Sequence, residues 1–151
     1  MTTPHVFCME GTAHSVAAVR PDGSDRYDLV LKDEDTGGRF SLVDMVLDPT
    51  FDSSPGHSHH EHSETFYVIA GQIEWIVEDE ARLMGPGDLV FIPPYAHHIA
   101  RAVGDEQVRM LMIWEPAGWE VGMIESAGLT AEQRADEEFM ADFRLRNDTY
   151  L

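Results

Sequence analysis

Residues 56–71 of the chain read GHSHHEHSETFYVIAG, and this stretch decides both the fold and the candidate chemistry. It places His57 and His59 two residues apart, with Glu64 further along and Gly71 closing a run of β-forming residues. Because side chains two apart in an extended segment point the same way, both imidazoles can reach one point. Glu64 shares its strand face with apolar residues, so its carboxylate would face a core, where it needs a compensating cation.

A second stretch, residues 87–98, reads GDLVFIPPYAHH and supplies a further imidazole after another predicted strand. His98 begins a strand whose same-face neighbours, Ala100 and Ala102, leave space beside the imidazole. The two stretches together predict a metal site with four protein ligands, which are His57, His59, Glu64 and His98.

Three imidazoles and one carboxylate suit one divalent transition metal ion, and this ligand set admits Fe, Mn, Ni, Co, Cu or Zn. Neither stretch contains a cysteine, which argues against a structural thiolate zinc site. Four protein ligands leave positions open on a six-coordinate ion, as substrate binding requires.

Three neighbouring histidines are predicted not to be ligands. His60 and His62 lie in the loop between ligands, and a strand would turn His97 to the face opposite His98.

The composition indicates one soluble domain over residues 1–151, with a formal net charge of −18. Such a charge repels phosphate backbones, so a small-molecule partner is expected and a nucleic-acid partner is not. Cys8 is the only cysteine, which excludes an intrachain disulfide. We see no secretory signal and no apolar stretch of membrane-spanning length, and we therefore expect a cytoplasmic protein without a membrane partner.

Short β-forming runs separated by Gly- and Pro-containing turns recur through most of the chain. Strands are predicted over residues 13–20, 27–32, 39–47, 64–70, 72–78, 81–84, 89–92, 98–103 and 108–114. The run at 89–92 is apolar throughout and predicts a fully buried strand, whereas residues 33–38 predict a polar turn.

The pattern changes after these strands. A helix is predicted over residues 119–126, and a capping box at Thr130 predicts a second helix that runs to about Arg146. The fold class is therefore mostly β, with a closed barrel over about residues 27–115 and a C-terminal helical segment over about 117–147.

The two histidine stretches resemble the paired motifs of the cupin superfamily, whose fold is a double-stranded β-helix, or jelly-roll barrel. The first motif is approximately H-x-H, three or four residues, E, six residues and G, and residues 57–71 fit it. The second is approximately G, five residues, P-x-G, two residues, H, three residues and N. Gly87, Pro93 and His98 fit this second motif.

Two positions depart from the second motif. Tyr95 stands where glycine is usual and Ala102 where asparagine is usual. Neither position is a metal ligand, so the departures leave the predicted ligand set unchanged. The resemblance covers about residues 39–115 closely, and the C-terminal segment is similar to tails of small bacterial cupins related to quercetin dioxygenases. Small cupins are commonly dimers, so the resemblance implies a homodimer.

The resemblance and the open metal positions together imply a metal-dependent oxygenase or dioxygenase that acts on a small aromatic or enol-type substrate. The predicted substrate pocket consists of Phe66, Trp75, Phe91, Met110 and Met112. Glu64 is a ligand that could also take the substrate proton, and Tyr67 and Tyr95 are further acid–base candidates.

A shared fold does not settle the reaction. A non-oxidative cyclase, isomerase or lyase would use the same ligands with the metal as a Lewis acid, and a small-molecule-binding cupin without turnover is a third alternative. The acidic chain disfavours anionic substrates at long range, so an anionic substrate would need local positive charge. Arg39, Arg101 and Arg109 are the candidates for that charge.

Overall fold

The computed structural model describes the backbone of residues 14–17 and the whole of residues 25–151. The strand predicted over residues 13–20 is described only over His14–Ala17, and Cys8 lies outside the described residues. Within these limits the protein is a mostly β barrel followed by C-terminal helices, as predicted.

Nine strands in the described part of the chain form two antiparallel sheets. They are β1 (His14–Ala17), β2 (Arg26–Leu31), β3 (Ser41–Leu47), β4 (Ser63–Ala70), β5 (Gln72–Val77), β6 (Glu80–Met84), β7 (Leu89–Ile92), β8 (His98–Val103) and β9 (Val108–Glu115). The larger sheet has the order β1-β2-β3-β9-β4-β7, and the smaller has the order β6-β5-β8.

The hydrophobic core lies between the inner faces of the two sheets. Alternate residues of β3 and β9 are buried, as the two-residue period of a strand that covers a core requires. On the same principle β4 turns Glu64 and Phe66 inward, and β5 adds Ile73 and Trp75. The strand register sets Glu64 opposite Trp114 of β9, so this carboxylate begins β4 inside the apolar core.

Four helices lie among residues 25–151: α1 (Asp33–Thr36), α2 (Glu120–Ala127), α3 (Ala131–Ala135) and α4 (Glu137–Arg146). The polar turn predicted over residues 33–38 contains the single turn of α1. The helix predicted from Thr130 to Arg146 is two helices, because the backbone of Asp136 is extended and its carboxylate accepts the N–H groups of Glu138 and Phe139. No helix of the described residues is both long and apolar enough to cross a membrane.

The prediction that β7 is fully buried is wrong. Leu89 and Phe91 are each 57% exposed, whereas Ile92 is buried. β7 lies at the edge of the larger sheet and only one of its faces covers the core. Because all four residues of β7 are apolar, residue type does not distinguish its inner positions from its outer positions.

Gly56 lies against β8 at a distance that only glycine tolerates. Its φ is 91°, and a Cβ there would lie 2.5 Å from the Cγ1 atom of Ile99 and 2.6 Å from the carbonyl oxygen of His98. Gly56→Ala is therefore expected to lower the free energy of unfolding by more than about 2 kcal/mol, because overpacking adds to backbone strain. Gly87→Ala is the matched control, since Gly87 has a φ of 95° but open space around it. Its cost is expected to be about 1 kcal/mol. Urea unfolding measures both losses, and equal losses would contradict the steric argument.

Candidate metal centre

A short backbone pairing brings the predicted ligands together. The histidine loop, residues 56–62, lies beside the start of β8. The His57 N–H donates to the His98 carbonyl at 3.1 Å, and the His98 N–H donates to the His57 carbonyl at 2.9 Å. The ring centroids of these two residues are 4.4 Å apart, and those of His57 and His59 are 4.9 Å apart. One potential ligand atom from each of His57, His59, Glu64 and His98 lies within 4.8 Å of the others. The structure therefore groups all four predicted ligands.

Glu64 is the anionic member of this group and only 4% of it is exposed. The indole N–H of Trp114 donates to its Oε1 atom at 2.7 Å. The Nε2 atom of His98 lies 3.0 Å from Oε2, and the Nε2 atom of His59 lies 3.5 Å from Oε1. Two imidazoles and an indole thus surround one carboxylate in an apolar core.

The two buried histidines are oriented by main-chain carbonyl groups. The Nδ1 atom of His59 lies 2.5 Å from the carbonyl oxygen of Asp148, and that of His98 lies 3.1 Å from the carbonyl oxygen of Ala96. A carbonyl oxygen only accepts, so each Nδ1 carries the hydrogen. In a neutral imidazole the Nε2 lone pair then faces inward, which is the arrangement typical of metal-binding histidines.

This orientation leaves acceptors facing acceptors. The Nε2 atoms of His59 and His98, which carry lone pairs, lie beside the carboxylate of Glu64, which is itself an acceptor. Among the described residues, neither the Nε2 atom of His59 nor the Oε2 atom of Glu64 has a hydrogen-bond partner, since the 3.0 Å approach of His98 lacks hydrogen-bond geometry. A cation at their centre would satisfy both groups, so the donor set fits a bound metal ion.

Burial and mutual contacts shift the pKa values of three members of the ligand group. Burial, assisted by the neighbouring His98, lowers the pKa of His57 to about 4, so this imidazole is neutral at neutral pH. Burial alone would raise the pKa of Glu64, but the close contacts with His59 and His98 outweigh it and hold the pKa below its ordinary value. Burial alone would lower the pKa of His59, but the close contact with the charged Glu64 outweighs it and raises the pKa. A divalent ion requires neutral imidazoles and an ionised carboxylate, so a metal at this group competes with the proton that the raised pKa of His59 favours.

Asp148, which follows α4, holds the histidine loop in place. Its carboxylate accepts the backbone N–H groups of His60, Glu61 and His62 at 2.9, 2.9 and 3.2 Å. The Nδ1 atom of His62 lies 2.7 Å from the same carboxylate. Burial acts to raise the pKa of Asp148, but these hydrogen bonds outweigh it and lower the pKa. Side chain and carbonyl of this one residue thus fix both the loop and the ring of His59.

The next residues of the chain complete this contact. Ser58 and Tyr150 exchange two backbone hydrogen bonds of 2.8 and 2.9 Å, and the ring of Tyr150 stacks on His60 with centroids 3.6 Å apart. His60 and His62 are therefore outside the ligand group, and both contact the C-terminal segment, His60 through Tyr150 and His62 through Asp148. Sequence reasoning missed Asp148 and Tyr150, because no local pattern links them to a loop nearly 90 residues earlier.

A cavity of about 400 Å³ opens beside the ligand group, between the barrel and the C-terminal helices. His57, Glu64 and His98 contribute to its wall. Four of the predicted pocket residues line it, namely Phe66, Trp75, Met110 and Met112. α2 and α4 also contribute to the wall, so the helical segment is part of the candidate site.

Three other predicted site residues lie elsewhere. Phe91 is on the outer face of β7 and does not line the cavity, so the pocket role predicted for it does not hold. Tyr67 is 43% exposed on the outer face of β4, because its neighbour Phe66 points inward. Tyr95 is 68% exposed and lies beside His60 with ring centroids 4.5 Å apart. Neither tyrosine lines the cavity, so their predicted acid–base roles do not fit their positions.

The three arginines predicted to supply local positive charge do not line the cavity. Arg39 is exposed, Arg109 pairs with Asp44, and Arg101 pairs with Asp52 at the surface. The cavity is instead lined by two arginines of the helical segment, Arg134 and Arg144. The sequence analysis assigned neither of them a role, because only the folding of α3 and α4 over the barrel brings them to the cavity.

Comparison with known proteins agrees with this geometry. Residues 43–114 match the Cupin domain family. Quercetin 2,3-dioxygenase of Bacillus subtilis (strain 168) is 29% identical over 79 residues, which are 52% of this chain and 23% of that protein. The chain therefore spans less than a quarter of the length of this relative.

Solved structures share the barrel at low sequence identity. KdgF from Halomonas sp. superposes with a TM-score of 0.66 at 21% identity, covering 77% of this chain and 99% of that chain. An RmlC-like cupin from Shewanella frigidimarina NCIMB 400 superposes with a TM-score of 0.59 at 17% identity, covering 80% and 96%. The family match, the paired histidine stretches and the common barrel show together that residues 43–114 of this chain form a cupin domain.

Proposed function

We propose that this cupin binds one divalent transition metal through His57, His59, Glu64 and His98, and that it is a dioxygenase of a small aromatic or enol-type substrate. The observation that carries the proposal is the buried group of three imidazoles and one carboxylate beside an apolar cavity, in which no described residue forms a hydrogen bond with the Nε2 atom of His59 or the Oε2 atom of Glu64. The similarity to a quercetin dioxygenase supports the choice of oxygen chemistry over a non-oxidative reaction.

Each protein group has a definite task in this proposal. The metal, when bound, would polarise a substrate oxygen and, if redox-active, support the use of O₂. Trp114 donates to one oxygen of Glu64 and leaves the other directed at the imidazoles. Glu64 is ionised, so it can accept a proton from a substrate hydroxyl. The apolar walls, Phe66 and Met112 among them, exclude water and strengthen these electrostatic interactions.

Oxygen uptake is the direct test. The untagged protein is loaded in turn with Fe, Mn, Ni, Co and Cu and is given a panel of flavonols and catechols in an oxygen electrode. We expect uptake with at least one metal, and both atoms of ¹⁸O₂ in the organic product, since a dioxygenase needs no other reductant. Glu64→Gln is the matched control, because it keeps the side-chain volume and removes the charge.

Two results would refute the dioxygenase proposal. The first is the absence of uptake with every metal and substrate. The second is product formation at an undiminished rate under strict anaerobiosis, which would identify a non-oxidative cyclase, isomerase or lyase.

We also propose a homodimer, in which the outer face of the larger sheet forms the contact. Tyr67, Leu89, Phe91 and Ile113 lie on that face and are each more than a third exposed. A contiguous apolar surface on a soluble protein is typical of an interface. Sedimentation velocity is expected to give the dimer mass for the wild type and the monomer mass for Phe91→Glu. A monomeric wild type would exclude the dimer.

A further inference from the structure

Helix α4 carries a cationic side chain that has no partner in the described structure. Arg144 is half-buried and lines the cavity on the helix face that also bears Met140 and Phe143. No described residue forms an ion pair or hydrogen bond with its guanidinium group. Arg146, two positions later, pairs with Glu125 and Asp142 and does not line the cavity. A guanidinium without a partner beside an apolar cavity is suited to bind an anion, and its fork of N–H groups matches a carboxylate.

Two hydrogen-bond donors beside the ligand group also lack acceptors. The indole N–H groups of Trp75 and Trp119 are buried, and no described residue accepts from either. Trp75 is 3% exposed, and its ring centroid lies 6.2 Å from that of His98. Trp119 lies 6.1 Å from His59 by the same measure. Both tryptophans line the cavity. Buried donors are almost always paired, so these two indicate an oxygen acceptor on whatever binds there.

We infer that the substrate is a small oxo-acid with an apolar body, an inference that rests on the proposed function for the position of the reacting oxygen. The carboxylate binds Arg144, and the carbonyl or enol oxygen accepts a hydrogen bond from Trp75 or Trp119 beside the ligand group. Phe66, Met110 and Met112 surround the body of the molecule. The three chemical features of the substrate correspond to three separate parts of the cavity wall.

The charge of the whole protein makes this local cation necessary. The formal net charge is −18, which repels an anion at a distance. Solvent ions screen that repulsion beyond roughly 8 Å at physiological salt, whereas a contact inside the cavity is screened much less. An acid that binds this acidic protein therefore needs a cationic group close by, and Arg144 supplies one in the cavity wall.

Binding of four related probes separates the two contacts. Phenylpyruvate carries a carboxylate and a carbonyl, phenylacetate lacks the carbonyl, and the amide of each acid lacks the charge. Affinities are measured by isothermal titration calorimetry on metal-free and metal-loaded protein. The variants are Arg144→Gln, Trp75→Phe and Trp119→Phe, with Arg146→Gln as the matched control. Thermal melts show whether each variant is folded.

We expect phenylpyruvate to bind the wild type more tightly than the other three probes. Arg144→Gln should weaken both acids by about 10- to 100-fold and leave both amides nearly unchanged, because a charge-assisted hydrogen bond is lost. Trp75→Phe or Trp119→Phe should weaken phenylpyruvate by about 3- to 10-fold without affecting phenylacetate. Arg146→Gln should change none of these affinities.

The inference is overturned if the acids bind no more tightly than their amides, or if Arg146→Gln has the same effect as Arg144→Gln. It is also overturned if no probe binds. The carboxylate contact requires no metal, so acid binding through Arg144 in a protein that takes up no metal would refute the proposed function alone. Metal uptake without any preference for acids would refute the inference alone.

Discussion

Replacing His98 with alanine is expected to abolish metal binding. Untagged wild-type protein should carry about one equivalent of Fe, Mn, Ni, Co, Cu or Zn in elemental analysis, and His98→Ala should carry almost none. The reason is that His98 supplies one of four ligand atoms and closes the backbone pairing with the histidine loop. Loss of a supporting residue alone typically costs 10- to 100-fold in affinity, so loss of a ligand should cost more than about 100-fold.

His97→Ala is the matched control for this experiment. His97 adjoins His98 but is not in the ligand group, and its backbone N–H donates to Glu78. The control should keep its metal and its fold. Metal retained by His98→Ala, or lost equally from both variants, would exclude the four-ligand site.

Asp148→Asn is expected to weaken metal binding by about 10- to 100-fold although this side chain is not in the ligand group. An amide offers one acceptor oxygen where the carboxylate serves three N–H groups and His62. Asparagine tolerates the left-handed backbone at this position, where φ is 52°, so the effect reports the lost acceptor. The free energy of unfolding should fall by about 1.5–3 kcal/mol, the usual contribution of hydrogen bonds to a charged group.

Competition with a chromophoric chelator measures the affinity, and urea unfolding measures the stability. Asp142→Asn is the matched control, since the side chain of Asp142 is 80% exposed on α4. Its effects should stay within about 0.5 kcal/mol. An Asp148→Asn protein that binds metal as tightly as the wild type would show that the loop holds its shape without this residue.

The pKa of Asp148 is lowered by folding, so its contribution to stability is present above the ordinary value of 3.8 and is lost as the pH falls.

The barrel and the grouping of the four candidate ligands could be predicted because local sequence patterns determine them. In β5 the apolar Ile73 and Trp75 alternate with the polar Gln72 and Glu74, and this alternation distinguishes the inner from the outer residues. The spacing of His57, His59 and Glu64 follows from one loop and one strand start, both short in sequence. These features depend on neighbouring residues, and a pattern along the chain can therefore reveal them.

The rest of the site depends on contacts between distant segments. Asp148 reaches His59, and Arg144 reaches the cavity, only after the C-terminal helices have folded over the barrel. Phe91 was misplaced because Val90 and Ile92 are equally apolar, so residue type could not identify the buried face of β7. The division between α3 and α4 did have a local signal, since Asp136 followed by two glutamates is typical of a helix N-terminus.

The contacts of Asp148 and Tyr150 with the histidine loop couple metal binding to the packing of residues 148–150 against that loop. If this packing strengthens metal binding, a bound metal must stabilise the packing by the same free energy, because the coupling is reciprocal. Scarcity of the metal would then favour local unfolding of residues 148–150 while the barrel stays intact. Amide hydrogen exchange at Ser58 and Tyr150 would report this opening, so the C-terminal segment can act as an intrinsic indicator of metal supply.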